Sequence, residues 1–162
     1  MNVLALDLAT RTGWALSEDG RRESGMQAFE VKRGESPGMR FLAFNRWLDS
    51  VVFVAGARRV DLIVYEQPFV MRSGAAAEIS LGFATRVQEF CARHGIEHTA
   101  TNGMTLKKWT TGRGNAKKPD MVAAVRAKFG WTGDDDNEAD AVALLHHTLE
   151  WLKTWLPEMG PR

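Results

Sequence analysis

The run Val3-Leu4-Ala5-Leu6-Asp7-Leu8 decides how this chain is read. It is apolar in the manner of a strand buried in mid-sheet, yet an aspartate interrupts its end. Side chains alternate along a strand, so Val3, Ala5 and Asp7 share one face. A second apolar run, Leu62-Ile63-Val64-Tyr65, closes on Glu66 in the same way, with Leu62, Val64 and Glu66 on one face. If the two strands pair in parallel, both carboxylates stand at the same carboxyl-terminal edge. That edge is where open α/β sheets place their chemistry.

Outward from this pair, the turn-like Thr10-Arg11-Thr12-Gly13 leads to a second strand at Trp14-Ala15-Leu16. The turn Glu18-Asp19-Gly20 precedes a third strand near residues 26–31, completing an antiparallel meander. Ser36-Pro37 reads as a helix start, serine as cap and proline at the first position. The helix runs to Val54 with Leu42, Trp47, Leu48, Val51 and Val52 at helical spacing. Residues 75–94 form another helix whose inner stripe is Ile79, Phe83, Val87, Phe90 and Cys91. A strand near 96–101 and helices at 119–129 and 136–154 follow. The strand–helix–strand order argues for parallel pairing and one mixed α/β domain over residues 1–162.

Composition narrows the function. The 162 residues are 44% hydrophobic and 25% charged, which suits a packed globular chain. A net charge of +1 excludes a protein basic all over, so nucleic-acid affinity needs a local patch. Cys91 is the one cysteine, which excludes an internal disulfide and fits a reducing cytoplasm. No apolar run approaches the ~18 residues of a bilayer span, and Met1–Asp7 lacks the marks of a signal peptide. The expectation is a cytoplasmic protein.

A third acidic element, Asp134-Asp135-Asp136-Asn137-Glu138-Ala139-Asp140, opens the last helix. Asp136 and Asp140 are four residues apart and Asn137 and Asp140 three, so either pair can share a face. Asp134 and Asp135 read equally as helix caps. Asp140 differs, because Ala139, Ala141 and Val142 surround it. Bland alternatives stand beside the others: Asp7 as a turn initiator, and Glu66 paired with Arg58 or Arg72. Together, like charges at matching strand ends call for a cation. Carboxylate oxygens without a Cys/His cluster suit Mg²⁺ or Mn²⁺. Two such ions about 3.5–4 Å apart are the arrangement that cleaves phosphodiesters by in-line displacement.

With these residues in place, the sequence resembles the RuvC-type Holliday-junction resolvases of the RNase H-like superfamily, most of all the short phage and prophage forms. The matching stretches are Val3–Asp7 with Thr12-Gly13-Trp14, then Glu66-Gln67-Pro68-Phe69 and Leu81-Gly82-Phe83-Ala84-Thr85-Arg86. Thr111-Gly112-Arg113-Gly114-Asn115-Ala116-Lys117-Lys118 and Glu138–Leu144 complete the order. The resemblance implies a five-stranded mixed sheet flanked by helices, a homodimer, and Mg²⁺-dependent paired nicking of a four-way DNA junction. It gives Asp7, Glu66 and Asp140 the metal-ligand positions. The chain departs from the family at Asn137, where the family often has Asp and sometimes His. Asparagine offers a carbonyl oxygen but cannot act as a base, and Asp136 is the nearby carboxylate that could supply the missing charge.

Between His98 and Pro119 there is no acidic residue, while Lys107, Lys108, Arg113, Lys117 and Lys118 supply positive charge. Interleaved with Trp109, Gly112 and Gly114, the stretch reads as a phosphate-approaching loop or as a merely solvated surface. Lys118 matches the family's lysine after the two glycines. No Gly-Lys-Ser/Thr follows the glycines, so a Walker loop and ATP binding are not supported. Phe69 is either a core residue or, by the resemblance, an aromatic that stacks on an unpaired base. Arg72 and Arg86 are further candidates for backbone contacts. His146 and His147 read as packing or surface residues, and Trp151 and Trp155 pack on each other or on a partner. The 75–94 helix is the expected dimer face. Two rivals remain: an RNase H-like nuclease acting on RNA–DNA hybrids or flaps, and a decayed branch-binding protein that Asn137 keeps in view.

Overall fold

The computed structural model describes residues 1–68 and 74–155. Its centre is the Val3–Asp7 strand, β1, whose first four residues are buried. β2 (Arg11–Glu18) pairs antiparallel with β1, setting Asp7 opposite Gly13, and β3 (Arg21–Ala28) pairs antiparallel with β2. After helix α1 (Met39–Val52) comes a small hairpin, β4 (Phe53–Val54) and β5 (Ala57–Arg58). β6 (Leu62–Glu66) then lies parallel to β1, with Leu6 opposite Tyr65. Helix α2 (Gly74–His94) leads to β7 (Glu97–Thr101), parallel to β6 with Glu66 opposite Thr101. The five-stranded mixed sheet has the order β3-β2-β1-β6-β7. Helices α3 (Gly103–Thr111), α4 (Lys118–Phe129) and α5 (Asp136–Trp155) complete the described chain.

Strand alternation sorts the core onto the two faces of this sheet. Leu4, Leu6, Leu16, Ile63 and Tyr65 face α1 and α2, packing with Phe44, Leu48, Phe83 and Val87. Phe44 and Phe83 meet there at 4.9 Å between ring centroids. Val3, Ala5, Leu62 and Val64 face the other way, against Leu106, Met121, Val125, Ala139 and Leu144 of α3 to α5. Asp7 and Glu66 continue this second set by parity, so they stand on the face covered by α5. Burying both sets at roughly 25 cal/mol per Å² of apolar surface is what holds the three layers together.

Several boundaries differ from the sequence expectation, each for a physical reason. Residues 11–13 belong to β2 and are not a turn, because their backbone pairs with both β1 and β3. β3 starts at Arg21 and not near Met26. Asp19 (φ 48°) and Gly20 (φ 83°) both take left-handed conformations, the tight hairpin geometry that restarts pairing at once. α1 starts at Met39, two residues beyond Pro37, since Met39 N–H bonds the Ser36 carbonyl at 3.0 Å in a preceding turn. α1 also ends at Val52, where β4 begins. The stretch read as a basic loop contains helix α3. The stripe of α2 holds: Phe83, Val87, Phe90 and Cys91 are buried, and Ile79 packs against them. Among the described residues no helix is long and apolar enough to cross a membrane.

Candidate active site

Asp7 ends β1, Glu66 ends β6, and Asp140 lies one turn into α5; all three line one cleft of about 250 Å³. Leu8, Ala9, Gln67 and Pro68 form its strand-end rim, with Ser80 of α2 on one side. Lys107 of α3, Lys118 and Met121 of α4, and Asn137 of α5 form the rest. The parallel β1–β6 pairing is what carries the first two carboxylates to a shared edge.

A glycine brings in the third. A Cβ on Gly13 would sit 1.8 Å from the Asn137 carbonyl oxygen, so only glycine lets α5 rest its first turn on β2. Gly13 is the register partner of Asp7, and the helix thereby lands with Asp140 beside the end of β1. The helix start is fixed by Asp135, whose Oδ1 accepts the N–H groups of Asn137 and Glu138 at 3.0 Å each. Arg11 holds Asp135 through a 3.2 Å ion pair. Glu138 Oε1 accepts from Ser24 Oγ at 2.7 Å and from Trp131 Nε1 at 3.0 Å, tying the same turn to β3.

The electrostatics of the cleft are those of crowded, desolvated acids. Burial pushes the Asp7 carboxyl well above the ordinary carboxylate range, and the charges of Asp140 and Glu66 push it further. Asp140 is pushed up to about 7, by burial first and by Glu66 next. Lys118 partly offsets both. Its ammonium donates to Asp136, a pair that raises the lysine and lowers the aspartate.

The donor set is all oxygen: three carboxylates and Asn137 line the cleft, and among the described residues no histidine or cysteine does. Crowded desolvated carboxylates of this kind fit a hard divalent cation such as Mg²⁺. Among the described residues no three acidic, histidine or cysteine side chains form a ready-made metal cluster. Glu66 Oε1 is seated against Gly103 at the start of α3.

Other candidates fall in different places. Asp136 does not line the cleft and is held by Lys118, whereas Asn137 does line it. Of the basic candidates, Lys107 and Lys118 line the cleft, Lys108 and Lys117 are exposed, and Arg113 pairs with Asp120 at 3.3 Å. Phe69 and Arg72 lie outside the described residues. Arg58 turns to the Gly95 carbonyl at 3.2 Å. Arg86 lies over the Phe41 ring and pairs with Glu89 at 3.5 Å.

Trp109 is not interleaved in a phosphate loop. It sits half-buried on α3, stacked on Phe129 at 5.8 Å. His146 and His147 pack as expected, His146 stacked on Phe129 at 3.9 Å and held uncharged at neutral pH by burial, which lowers it to about 4. Trp151 is 45% exposed, and Cys91 is buried in the core. Sequence reading missed Gly13 as the support of α5, Gly103 as the neighbour of Glu66, and Ser80 and Met121 as cleft walls. Strand and helix periodicity carry no signal for any of the four.

No protein-family model matches the chain. It is 24% identical over 156 residues to the crossover junction endodeoxyribonuclease RuvC of Rickettsia conorii, covering 92% of this chain and 97% of that one. The structure of Thermus thermophilus RuvC matches with a TM-score of 0.67 at 20% identity, covering 89% of this chain and 90% of that one. T. thermophilus RuvC in complex with Holliday junction substrate matches with a TM-score of 0.71 at 19% identity and the same coverage of both chains. These matches show the RNase H-like fold of RuvC, a mixed five-stranded sheet with flanking helices. Over nearly its whole length the chain is a distant homologue of the RuvC crossover junction endodeoxyribonucleases.

Proposed function

We propose that this chain is a metal-dependent endonuclease that resolves four-way DNA junctions by paired, symmetric phosphodiester hydrolysis. The observation that carries the reading is the meeting of Asp7, Glu66 and Asp140 in one cleft that also receives Lys107 and Lys118. Residues 1–162 then form one nuclease domain, working in a reducing cytoplasm that suits its buried thiol.

Asp7, Glu66 and Asp140 would hold Mg²⁺, or Mn²⁺ in its place, with Asn137 adding a neutral oxygen. Bound divalent ions supply the Lewis acidity that activates water and stabilises the leaving oxygen. The protein's share is placement. β1 and β6 fix two carboxylates at one edge, and Gly13 lets α5 bring the third against them. Lys107 and Lys118 hold the scissile strand by its phosphates, with Lys108, Arg113 and Lys117 meeting the flanking backbone. Phe69, three residues after Glu66, is assigned to the junction centre on the family resemblance, and Arg72 to the DNA backbone.

A homodimer supplies the two active sites that symmetric cutting needs. Supporting surface lies beside α2, where Leu81 is 40% exposed and the neighbouring α1 shows Met39 at 40% and Leu42 at 50%.

The test is a substrate panel in Mg²⁺: a synthetic four-way junction, a linear duplex and an RNA–DNA hybrid. Cleavage confined to the junction supports the proposal. Cleavage of the hybrid would move the function to ribonuclease H, and tight junction binding without cutting would leave a branch-binding protein.

A further inference from the structure

Gly103 begins α3, and its backbone does not need to be glycine. Its φ lies outside the left-handed region, and the helix start is already capped by Asn102, whose Oδ1 accepts from Met104 N–H at 2.9 Å and Thr105 N–H at 3.2 Å. Helix propensity alone favours almost any other residue there. The neighbour explains the choice. A Cβ at position 103 would stand 2.3 Å from Glu66 Oε1 and 2.9 Å from its carboxyl carbon. The pairing that sets this up is local: Glu66 lies opposite Thr101, two residues before Gly103, and Gln67 N–H bonds the Thr101 carbonyl at 2.9 Å. The carboxylate therefore rests in a notch that exists because the first residue of α3 has no side chain.

We propose that Gly103 is a positioning residue, which sets where the Glu66 carboxylate stands relative to Asp7 and Asp140 and hence how tightly the cleft takes a divalent cation. The inference rests on the metal-site reading above and deepens it. A methyl at 103 forces the carboxylate to retreat by about 1 Å to regain ordinary 3.4 Å contact. Glutamate yields easily, because only the far end of a flexible side chain must move. Metal ligands tolerate only about 0.2 Å of error, so a shift of this size leaves the fold intact and spoils the ligand set.

The experiment is Mn²⁺ titration of the full chain by calorimetry, with thermal melts in chelator, for wild type, Gly103→Ala, Glu66→Gln and the double variant. Gly103→Ala is expected to melt at or above the wild-type temperature while binding Mn²⁺ roughly ten-fold more weakly, the size typical of residues that orient metal ligands. In the Glu66→Gln background the same change is expected to have no further effect, since it acts through that carboxylate. In junction cleavage the Mg²⁺ needed for half-maximal rate rises while the rate at saturating Mg²⁺ is largely recovered.

Wild-type Mn²⁺ affinity in Gly103→Ala overturns the inference and leaves the metal site standing, as do effects of the two substitutions that multiply. Unchanged affinity in Glu66→Gln overturns the inference together with the metal-site reading beneath it.

Discussion

Asp140→Asn should make the metal-free protein more stable while removing its capacity to bind a divalent ion. The carboxyl of Asp140 is raised from an ordinary 3.8 to about 7, chiefly by burial and then by Glu66. At ~1.36 kcal/mol per tenfold change in proton affinity, the rise from 3.8 to about 7 means that ionising it costs the folded state about 4 kcal/mol. The pH dependence has a definite sign. Between pH ~4 and ~7 the unfolded chain has released this proton and the folded chain still holds it, so stability falls as pH rises and the loss is complete above ~7. Asparagine keeps the shape and removes the charge, although its amide is itself costly to bury. For a chain of this size each kcal/mol moves the melting temperature by about 2–4 °C. A rise of about 5–10 °C at pH 8 in chelator follows, shrinking towards zero near pH 4. The assay is a set of thermal melts across pH for wild type and variant, with and without Mg²⁺. Mg²⁺ should stabilise the wild type and leave the variant nearly unmoved. A variant less stable than wild type at pH 8 in chelator would refute the reasoning, as would two parallel pH profiles.

Gly13→Ala places a methyl 1.8 Å from the Asn137 carbonyl, a backbone atom that cannot move without α5, so a loss of at least about 3 kcal/mol should appear in urea denaturation, with Mn²⁺ binding lost alongside. Lys118→Ala removes a cation that offsets Asp7 and Asp140 and frees Asp136. It should bind Mn²⁺ more tightly, bind junction DNA more weakly, and lower the salt slope of DNA binding by about one, measured by fluorescence anisotropy across salt. Asn137→Asp adds a fourth carboxylate to the cleft wall. It should raise Mn²⁺ affinity about ten-fold and depress stability in chelator at pH 8, read by calorimetry and thermal melts.

Much of this architecture is written locally. β1 and β6 announce themselves because buried parallel strands are continuous apolar runs, and a carboxylate ending each run stands out against them. Parity then assigns Asp7 and Glu66 to one face before any helix is placed. Asp140 is legible for a related reason, as an acid among Ala139, Ala141 and Val142 of a buried helix turn.

What escaped depends on partners distant in sequence. α3 is largely polar, with only Leu106 and Thr110 buried, so its periodicity is too thin to separate from a loop. β3 is a mostly exposed edge strand with little hydropathy signal. Gly13 and Gly103 look like ordinary turn glycines, because the demand on them is the close approach of Asn137 and Glu66 from elsewhere in the chain. The Lys118–Asp136 pair joins residues eighteen apart on two helices and shows only once α4 and α5 pack. It diverts the carboxylate that the sequence offered as a replacement for the one missing at Asn137.

Junction resolution by this cleft is tested most directly by mapping the cuts in an end-labelled four-way junction incubated with Mg²⁺, for wild type and Asp7→Asn. Wild type should give symmetric paired nicks whose ends a ligase reseals, absent in the variant. Asymmetric or duplex cutting, or nicks that persist in Asp7→Asn, would contradict it.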